Sequence, residues 1–277
     1  MDKRIETPLT AIVMAASSDI GASLCKHWSS KNWTLAGTFR NFSPQVEELQ
    51  KVHGVQLFPC DLLNQESIRA SCSGLAGICS NWDVLVVAPG HQEPIGFFTD
   101  VDFEKWEQGI AVNLLKPLEF VHRLLPYRNR QRRPTVLFFA GGGTNNAVVR
   151  YSSYTLSKIA LIKMCELLDA ETPDTRFVIV GPGWVKTKIH TATVNAKESA
   201  GSNFNKTLEK FQRGDWIPME KVVECCTYLV TTPCNAISGR NFSVAFDPWG
   251  TEELEQALMN NQEMYKLKRY QNEWGRA

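Results

Sequence analysis

Seven short runs rich in β-branched and aromatic residues recur along the chain, with helical segments between them. The runs are TAIVMA, WTLAGTF, VQLFPC, DVLVVAP, TVLFFAG, RFVIVGP and RNFSVAF. Such runs predict buried strands, and their alternation with helices predicts a parallel sheet covered on both faces. Helical spacing of apolar residues is clearest at 20–28, 45–52, 103–114 and 154–168. The predicted fold class is α/β, a doubly wound, Rossmann-like parallel sheet of about seven strands with helices on both faces.

The 277 residues suit one large α/β domain, and no Pro-, Gly- or Ser-rich linker divides them. We therefore predict a single domain over residues 1–277. Two segments lie outside the alternation. Residues 188–217 are polar and predict a mobile flap, broken near Gly201, between a strand end and the next helix. Residues 247–277 predict a helical tail that docks on the body or on a partner subunit.

Composition limits the class of partner. The 30 Lys and Arg residues against 29 Asp and Glu give no electrostatic argument for nucleic acid or a membrane surface. The first residues, MDKRIETPLT, lack an apolar signal region, so we expect a soluble, cytoplasmic protein that binds a small molecule. The eight cysteines form no CxxC pair and no Cys/His ligand spacing, which favours buried reduced thiols and predicts no metal site.

The first strand ends in the loop AASSDIG, residues 15–21, which runs directly into a helix. Such a loop places backbone N–H groups and the positive end of a helix at a phosphate. It resembles the TGxxxGxG loop of the short-chain dehydrogenase/reductase family, with Met14, Ala15 and Asp19 in place of the Thr, the first Gly and the second Gly. A carboxylate there repels a diphosphate unless Asp19 turns outward or caps the helix. The loop residues that the resemblance implies for cofactor binding are Ala15, Ser17, Ser18, Ile20 and Gly21.

Other family landmarks follow in the same order as in the family. Asp61-Leu62 resembles the pair that contacts the adenine ring, VAPG at 87–90 takes the place of NNAG, and PGWVKT at 182–187 resembles PGxVxT, whose threonine grips the carboxamide. Strand ends at the carboxyl edge of such a sheet are where ligands bind. The further cofactor-binding residues implied are Asp61, Leu62, Ala88, Pro89, Gly90, Pro182, Gly183, Val185 and Thr187.

Arg40 follows the second strand, where NAD-preferring relatives usually carry an acidic residue. The planar fork of a guanidinium suits a 2′-phosphate, because it donates two hydrogen bonds. The sequence therefore favours NADP over NAD as the cofactor. The alternative is a solvated arginine in a loop.

Tyr154 and Lys158 form the strongest motif, YTLSK, which matches the family's YxxSK. Their spacing places phenol and ammonium on one face of a helix. A phenol with a pKa of ~10 is a poor proton shuttle at neutral pH, so a neighbouring cation must lower that value. The resemblance implies that Tyr154 is the acid/base and that Lys158 lowers its pKa and binds the nicotinamide ribose. It also implies that Asn113, in an apolar helix, holds a water for proton relay.

Gly141 departs from the family, because the catalytic serine belongs at this position, thirteen residues before the tyrosine. Three interpretations stay open. Another donor replaces the serine, from the glycine run or from Thr144, Asn145, Ser152 or Ser153. Alternatively, the site is weakened and the chain is a cofactor sensor or assembly partner. The third is a related reaction, such as epimerisation or dehydration.

The sequence has few indications of the substrate. Candidate contacts are Gly141, Gly142, Thr144, His91 and Trp184. Positive charge in the flap, at Lys186, Lys188, His190, Lys197 and Lys206, suits a phosphate or nucleotide sugar, and Trp184, Trp216 and Trp249 suit stacking on a sugar ring. The predicted function is NAD(P)(H)-dependent interconversion of an alcohol and a carbonyl, and the resemblance implies a homodimer or homotetramer packed through the helix of Tyr154 and Lys158.

Overall fold

A computed structural model of the protein describes residues 8–269. Its strands form one parallel sheet in the order β3-β2-β1-β4-β5-β6-β7. The chain order reverses between β1 and β4, and in doubly wound sheets a ligand crevice opens at this point. The predicted α/β class is confirmed, and each apolar run of the sequence contains one strand. The strands are β1 (Thr10–Met14), β2 (Thr34–Phe39), β3 (Gln56–Pro59), β4 (Val84–Val87), β5 (Thr135–Phe139), β6 (Arg176–Gly181) and β7 (Arg240–Ser243).

Helices cover both faces of the sheet. A π-helical turn, Ala111–Leu115, joins the fourth helix to the fifth and begins inside the segment 103–114, for which the sequence predicts an ordinary helix. The helices are α1 (Asp19–Ser29), α2 (Pro44–Lys51), α3 (Gln65–Ile78), α4 (Phe103–Ile110), α5 (Lys116–Leu124), α6 (Ser152–Glu171), α7 (His190–Ala196), α8 (Ser202–Arg213), α9 (Met219–Thr231) and α10 (Glu252–Asn260). No helix within residues 8–269 has the length and apolar character needed to cross a membrane.

The core consists of two apolar clusters, one on each face of the sheet. Successive residues of β1 alternate between them: Val13 belongs to the cluster with Trp28 of α1, and Ile12 to the cluster with Phe120 of α5. This alternation follows from the period of two along a strand. Cysteine side chains are reduced throughout, and all but Cys234 are buried. The sheet is thus held rigidly between the helix layers, with its carboxyl edge free to carry a site.

The two segments outside the alternation have defined structure in the described residues. The predicted flap, 188–217, is largely helical, since it contains α7 and α8, and Gly201 separates them at a φ of +57°. The predicted tail is helical only at α10; residues 261–269 form turns, and 270–277 lie outside the described part of the chain. The buried Arg240 anchors the tail to the body by donating to the carbonyls of Leu258, Asn261 and Met264.

Candidate active site

A cleft of about 1650 Å³ opens at the carboxyl edge of the sheet. Segments that follow β1, β4, β5 and β6 line it, and α6 supplies Tyr154 and Lys158. The predicted residues that the structure brings together here are Ser18, Ile20, Ala88, Pro89, Gly90, His91, Gly141, Gly142, Thr144, Tyr154, Lys158, Pro182, Gly183, Trp184, Val185 and Thr187. Parts of the chain far apart in sequence therefore meet in one cavity, as the strand order requires.

The loop after β1 has the geometry of a phosphate cradle. Ser18 caps α1, its Oγ accepting the Gly21 N–H at 3.1 Å. A Cβ on Gly21 would lie 2.5 Å from the carbonyl oxygen of Ala15, so the tight turn requires glycine there. Asp19 and Ile20, the first two residues of α1, line the cleft beside Ser18, and the first N–H groups of a helix have no intrahelical acceptors. These donors, at the positive end of the helix, fit a diphosphate.

Asp19, which replaces a family glycine, lines the cleft beside that cradle, and Lys188 holds its carboxylate. Its Oδ2 accepts the backbone N–H of Lys188 at 2.6 Å, and its Oδ1 lies 3.5 Å from Lys188 Nζ. Because Ser18 is the cap, Asp19 does not cap the helix, which excludes one of the two arrangements that the sequence leaves open. The carboxylate is paired before any phosphate arrives.

Tyr154 and Lys158 lie on the cleft side of α6. Lys158 Nζ lies over the phenol ring, 5.7 Å from its centre, and donates to the Pro89 carbonyl at 3.1 Å. Burial lowers the pKa of Lys158 to about 8 and raises the pKa of Tyr154 to about 12. The sequence-based expectation that Lys158 lowers the Tyr154 pKa therefore differs from this structure, in which desolvation of the phenol dominates.

Asn113 lies in the π-helical turn, fully buried, rather than on the wall of the cleft. Its Oδ1 accepts the N–H of His91 at 2.8 Å, and its Nδ2 donates to the carbonyls of His91 and Gly109 at 2.7 and 2.9 Å. The amide thus fixes the segment that follows β4. That segment also carries Pro89, so Asn113 positions an acceptor of Lys158.

Gly141 lies directly against the tyrosine. A Cβ at this position would be 2.9 Å from Tyr154 Cε1, 3.1 Å from its hydroxyl oxygen and 3.0 Å from Lys158 Cγ. The tyrosine therefore packs where a serine side chain would start. Tyr154 can take this position because residue 141 has no side chain.

The proposed substitutes for the serine divide into two groups. Thr144 and Asn145 line the cleft beside the glycine run. Ser152 and Ser153 do not line it, because Ser152 Oγ accepts the indole N–H of Trp106 and Ser153 is fully buried. The structure thus removes both serines as substrate donors.

Aromatic and basic side chains of the flap, together with Trp184 just before it, form the far wall of the cleft. Trp184 stacks on His190 with ring centres 4.1 Å apart, and Lys210 Nζ lies 5.5 Å from the Trp184 ring. Burial lowers the pKa of His190, which favours a neutral imidazole. Trp216 also lines the cleft, whereas Trp249 packs on the core and donates to the Val244 carbonyl. The suggestion that Trp249 stacks on substrate is wrong, because the tail folds it inward.

Sequence reasoning missed a polar network at the substrate end. The hydroxyls of Tyr151 and Thr193 are 2.8 Å apart, and Thr193 donates to Gln92 Oε1 at 3.0 Å. All three line the cleft. They come from α6, α7 and the segment after β4, so no spacing along the chain could have indicated them.

Arg40, Asp61 and Leu62 lie beyond the wall of the cleft, at the ends of β2 and β3. The two strand ends are neighbours, since the Cys60 N–H donates to the Phe39 carbonyl at 2.7 Å. Burial lowers the pKa of His91, and the charge of Arg40 lowers it further against the effect of Glu93. Arg40 is therefore within electrostatic reach of the end of β4.

Three predicted loop residues, Ala15, Ser17 and Gly21, shape the cradle without lining the cavity.

A sequence model of the short chain dehydrogenase family matches residues 9–198, which include the ends of β1, β4, β5 and β6 and the Tyr154 motif. The chain belongs to this family. The family predicted from the sequence is therefore confirmed.

Relatives of this short-chain dehydrogenase include the human protein named dehydrogenase/reductase SDR family member 2, mitochondrial, 27% identical over 241 residues, or 85% of this chain and 84% of the human protein. Among solved structures, a 3-ketoacyl-(acyl-carrier-protein) reductase from Brucella melitensis in complex with NADH has a TM-score of 0.72 at 17% identity, covering 85% of this chain and 96% of its own. Actinorhodin polyketide ketoreductase with NADPH has a TM-score of 0.73 at 20% identity, covering 86% of this chain and 95% of its own. At these identities the two neighbours show the fold of this chain; one was solved with NADH and the other with NADPH.

Proposed function

We propose that this short-chain dehydrogenase interconverts an alcohol and a carbonyl on a polar substrate, such as a sugar or nucleotide sugar, with NADP(H). The observation that carries the proposal is the placement of Tyr154 and Lys158 on one wall of a cleft that also contains the helix N-terminus of the phosphate cradle. A phosphate site and a proton-transfer pair in one cavity suit a dinucleotide-dependent oxidoreductase. The basic and aromatic wall around Trp184 and Lys210 supports a polar, ring-containing substrate.

In the proposed mechanism, Ser18, Ile20 and the segments after β4 and β6 hold the cofactor, which supplies or accepts a hydride when bound. Tyr154 donates its proton to the carbonyl oxygen during reduction and takes it back during oxidation. Lys158, fixed by the Pro89 carbonyl, provides a positive charge beside the phenolate that this transfer leaves. Thr144, Asn145 and the glycine run orient the substrate oxygen in place of the absent serine.

Arg40 supports NADP over NAD. Its guanidinium is exposed at the end of β2, where a 2′-phosphate is recognised in this kind of fold. The corresponding measurement is the affinity for NADPH and NADH by fluorescence titration. Arg40→Ala is expected to reduce the preference for NADPH about tenfold, an effect equivalent to one charge-assisted hydrogen bond. Arg130→Ala, at the exposed start of the segment before β5, serves as the control. If the ratio of NADPH to NADH affinity is the same in the wild type, Arg40→Ala and Arg130→Ala, Arg40 does not recognise the 2′-phosphate.

A screen of carbonyl compounds and nucleotide sugars, followed by NADPH absorbance, tests the activity itself. Tyr154→Phe is expected to abolish turnover while leaving cofactor affinity nearly unchanged, since only the proton route is removed. Tyr127→Phe is the matched control, because Tyr127 is exposed next to Trp82, at the opposite edge of the sheet. Turnover that survives in Tyr154→Phe would place the proton route elsewhere.

One observation favours a second candidate, a weakened enzyme that senses cofactor or assembles with a partner. Tyr154 packs into the space of the missing serine, and its pKa is raised to about 12, which hinders proton release. This candidate predicts cofactor-dependent partner binding that persists in Tyr154→Phe. If the wild-type protein turns over a substrate and Tyr154→Phe abolishes that turnover, the protein is an active enzyme and the second candidate is rejected.

A further inference from the structure

An ion pair spans the mouth of the cofactor cradle. Asp19, at the start of α1, holds the backbone N–H of Lys188 at 2.6 Å and its ammonium at 3.5 Å, although the two residues are 169 positions apart. Lys188 Nζ also donates to Gln45 Oε1 at 3.2 Å. The segment after β6 is thereby fastened across the loop after β1.

The next residue fixes the same segment on the other side. A Cβ on Gly90, which follows β4, would be 3.1 Å from Ile189 Cδ1. Residues 188 and 189 therefore bridge the ends of β1 and β4, the two strands between which the chain order reverses. A dinucleotide in a doubly wound sheet lies across this crevice.

The charges explain why a carboxylate is tolerated at this position. An isolated Asp19 would repel a diphosphate, since like charges a few ångströms apart near a protein surface repel each other. Lys188 cancels that charge and carries its own ammonium at the cradle. An exposed ion pair alone contributes little, but here the carboxylate also accepts a main-chain N–H, a charge-assisted bond that orients the segment.

We propose that Asp19 and Lys188 act as one cofactor-binding unit, in which Asp19 holds Lys188 over the cradle and Lys188 both neutralises Asp19 and faces the diphosphate of the dinucleotide. The inference rests on the proposed function, because it assumes that a nicotinamide dinucleotide binds in this cleft. It makes Lys188 a determinant of cofactor affinity that the family loop pattern does not contain. It also makes the effect of Lys188 conditional on Asp19.

The test is a double-mutant cycle on the full chain, with the dissociation constant for NADPH measured by calorimetry. Lys188→Ala is expected to weaken binding about tenfold or more, because Asp19 then repels the diphosphate without compensation. Adding Asp19→Gly to Lys188→Ala is expected to recover the affinity to within about threefold of the wild-type value. Lys31→Ala, exposed just after α1 and outside the cleft lining, is the control and is expected to leave affinity unchanged.

Two results would overturn the inference: unchanged affinity in Lys188→Ala, or a double variant that binds no better than Lys188→Ala. Thermal unfolding of each variant verifies that a loss of affinity is not a loss of fold. The failure of the proposed function has a different signature, since wild-type protein would then bind neither NADPH nor NADH. If the wild-type protein binds NADPH but the double-mutant cycle shows no coupling between Asp19 and Lys188, only the proposed role of this pair is rejected.

Discussion

Lys158 is a buried ammonium at the centre of the candidate site, only 3% exposed. Its pKa falls from an ordinary 10.5 to about 8 on burial, so keeping it charged opposes folding at neutral pH. We predict that Lys158→Met raises the free energy of unfolding at pH 7 by about 1–3 kcal/mol while turnover is lost. Urea unfolding of both proteins measures the difference. Such an exchange of stability for activity is common at active sites.

The sign of the pH dependence gives a second check on Lys158. Between its folded pKa of about 8 and its unfolded value of 10.5, the unfolded chain holds more protons on this residue than the folded chain. Wild-type stability from this group therefore rises with pH through that window, and the advantage of Lys158→Met shrinks. Measurements at pH 7 and pH ~9.5 test this, with the exposed Lys51→Met as control. A variant less stable than wild type at pH 7 would contradict the argument.

Gly141 and Gly142 offer a matched pair of substitutions. An alanine at 141 places its Cβ 2.9 Å from Tyr154 Cε1, whereas the nearest atom to a Cβ at 142 is Val148 Cγ2, at 3.8 Å. We predict that Gly141→Ala lowers the free energy of unfolding by about 1–2 kcal/mol and reduces kcat by displacing Tyr154. Gly142→Ala is expected to change stability by less than about 0.5 kcal/mol. Thermal unfolding and NADPH-dependent turnover are the measurements.

The same geometry bears on the absent serine. A serine at 141 has the same Cβ, so it would meet Tyr154 before its hydroxyl could contact a substrate. Restoring the family residue alone is therefore expected to disturb the tyrosine rather than complete the site. Equal stability of Gly141→Ala and Gly142→Ala would show that Tyr154 moves freely and would contradict this interpretation.

At the scale of elements, the strands were predictable because a parallel sheet buried on both faces requires nearly continuous apolar runs. The π-helical turn was not, since its signal is one Asn in an apolar helix, and the partner of Asn113 is the backbone of His91, on another element. The two helices of the flap, α7 and α8, likewise have only a weak signal in the sequence. In α8 only Thr207 is fully buried, and the apolar residues Phe204, Leu208 and Phe211, although spaced as on one helix face, are few among polar residues.

Site residues that lie on one helix or strand could be predicted from the sequence. Site residues whose contacts join different elements could not. Tyr154 and Lys158 share a helix face, so their spacing alone indicates a pair. The bond between Asp19 and Lys188 joins α1 to the segment after β6. The direction of a side chain across such a gap depends on tertiary packing, which motif spacing does not encode.

At the scale of the whole molecule, apolar side chains remain exposed on helices that pack side by side. Phe103 of α4 is 56% exposed, and Leu156 and Leu167 of α6 are 52% and 47% exposed. Leu156 and Leu167 are eleven residues apart, which places them on one face of α6. Adjacent exposed apolar residues of this size are typical of an interface. They lie on the helix of Tyr154 and Lys158, through which the family resemblance predicts self-association.

We therefore predict that the protein sediments as a dimer or tetramer and that Leu156→Glu with Leu167→Glu shifts it to a monomer, because each carboxylate would have to lose its water at the interface. Val52→Glu is the matched control, since Val52 is 72% exposed at the end of α2, away from α6. Sedimentation velocity distinguishes the species, and circular dichroism verifies that each variant is folded. If the double variant retains the wild-type sedimentation coefficient, this face of α6 is not the interface. Because α6 carries the proton-transfer pair, dissociation is also expected to lower turnover, and a fully active monomer would show that the site is complete within one chain.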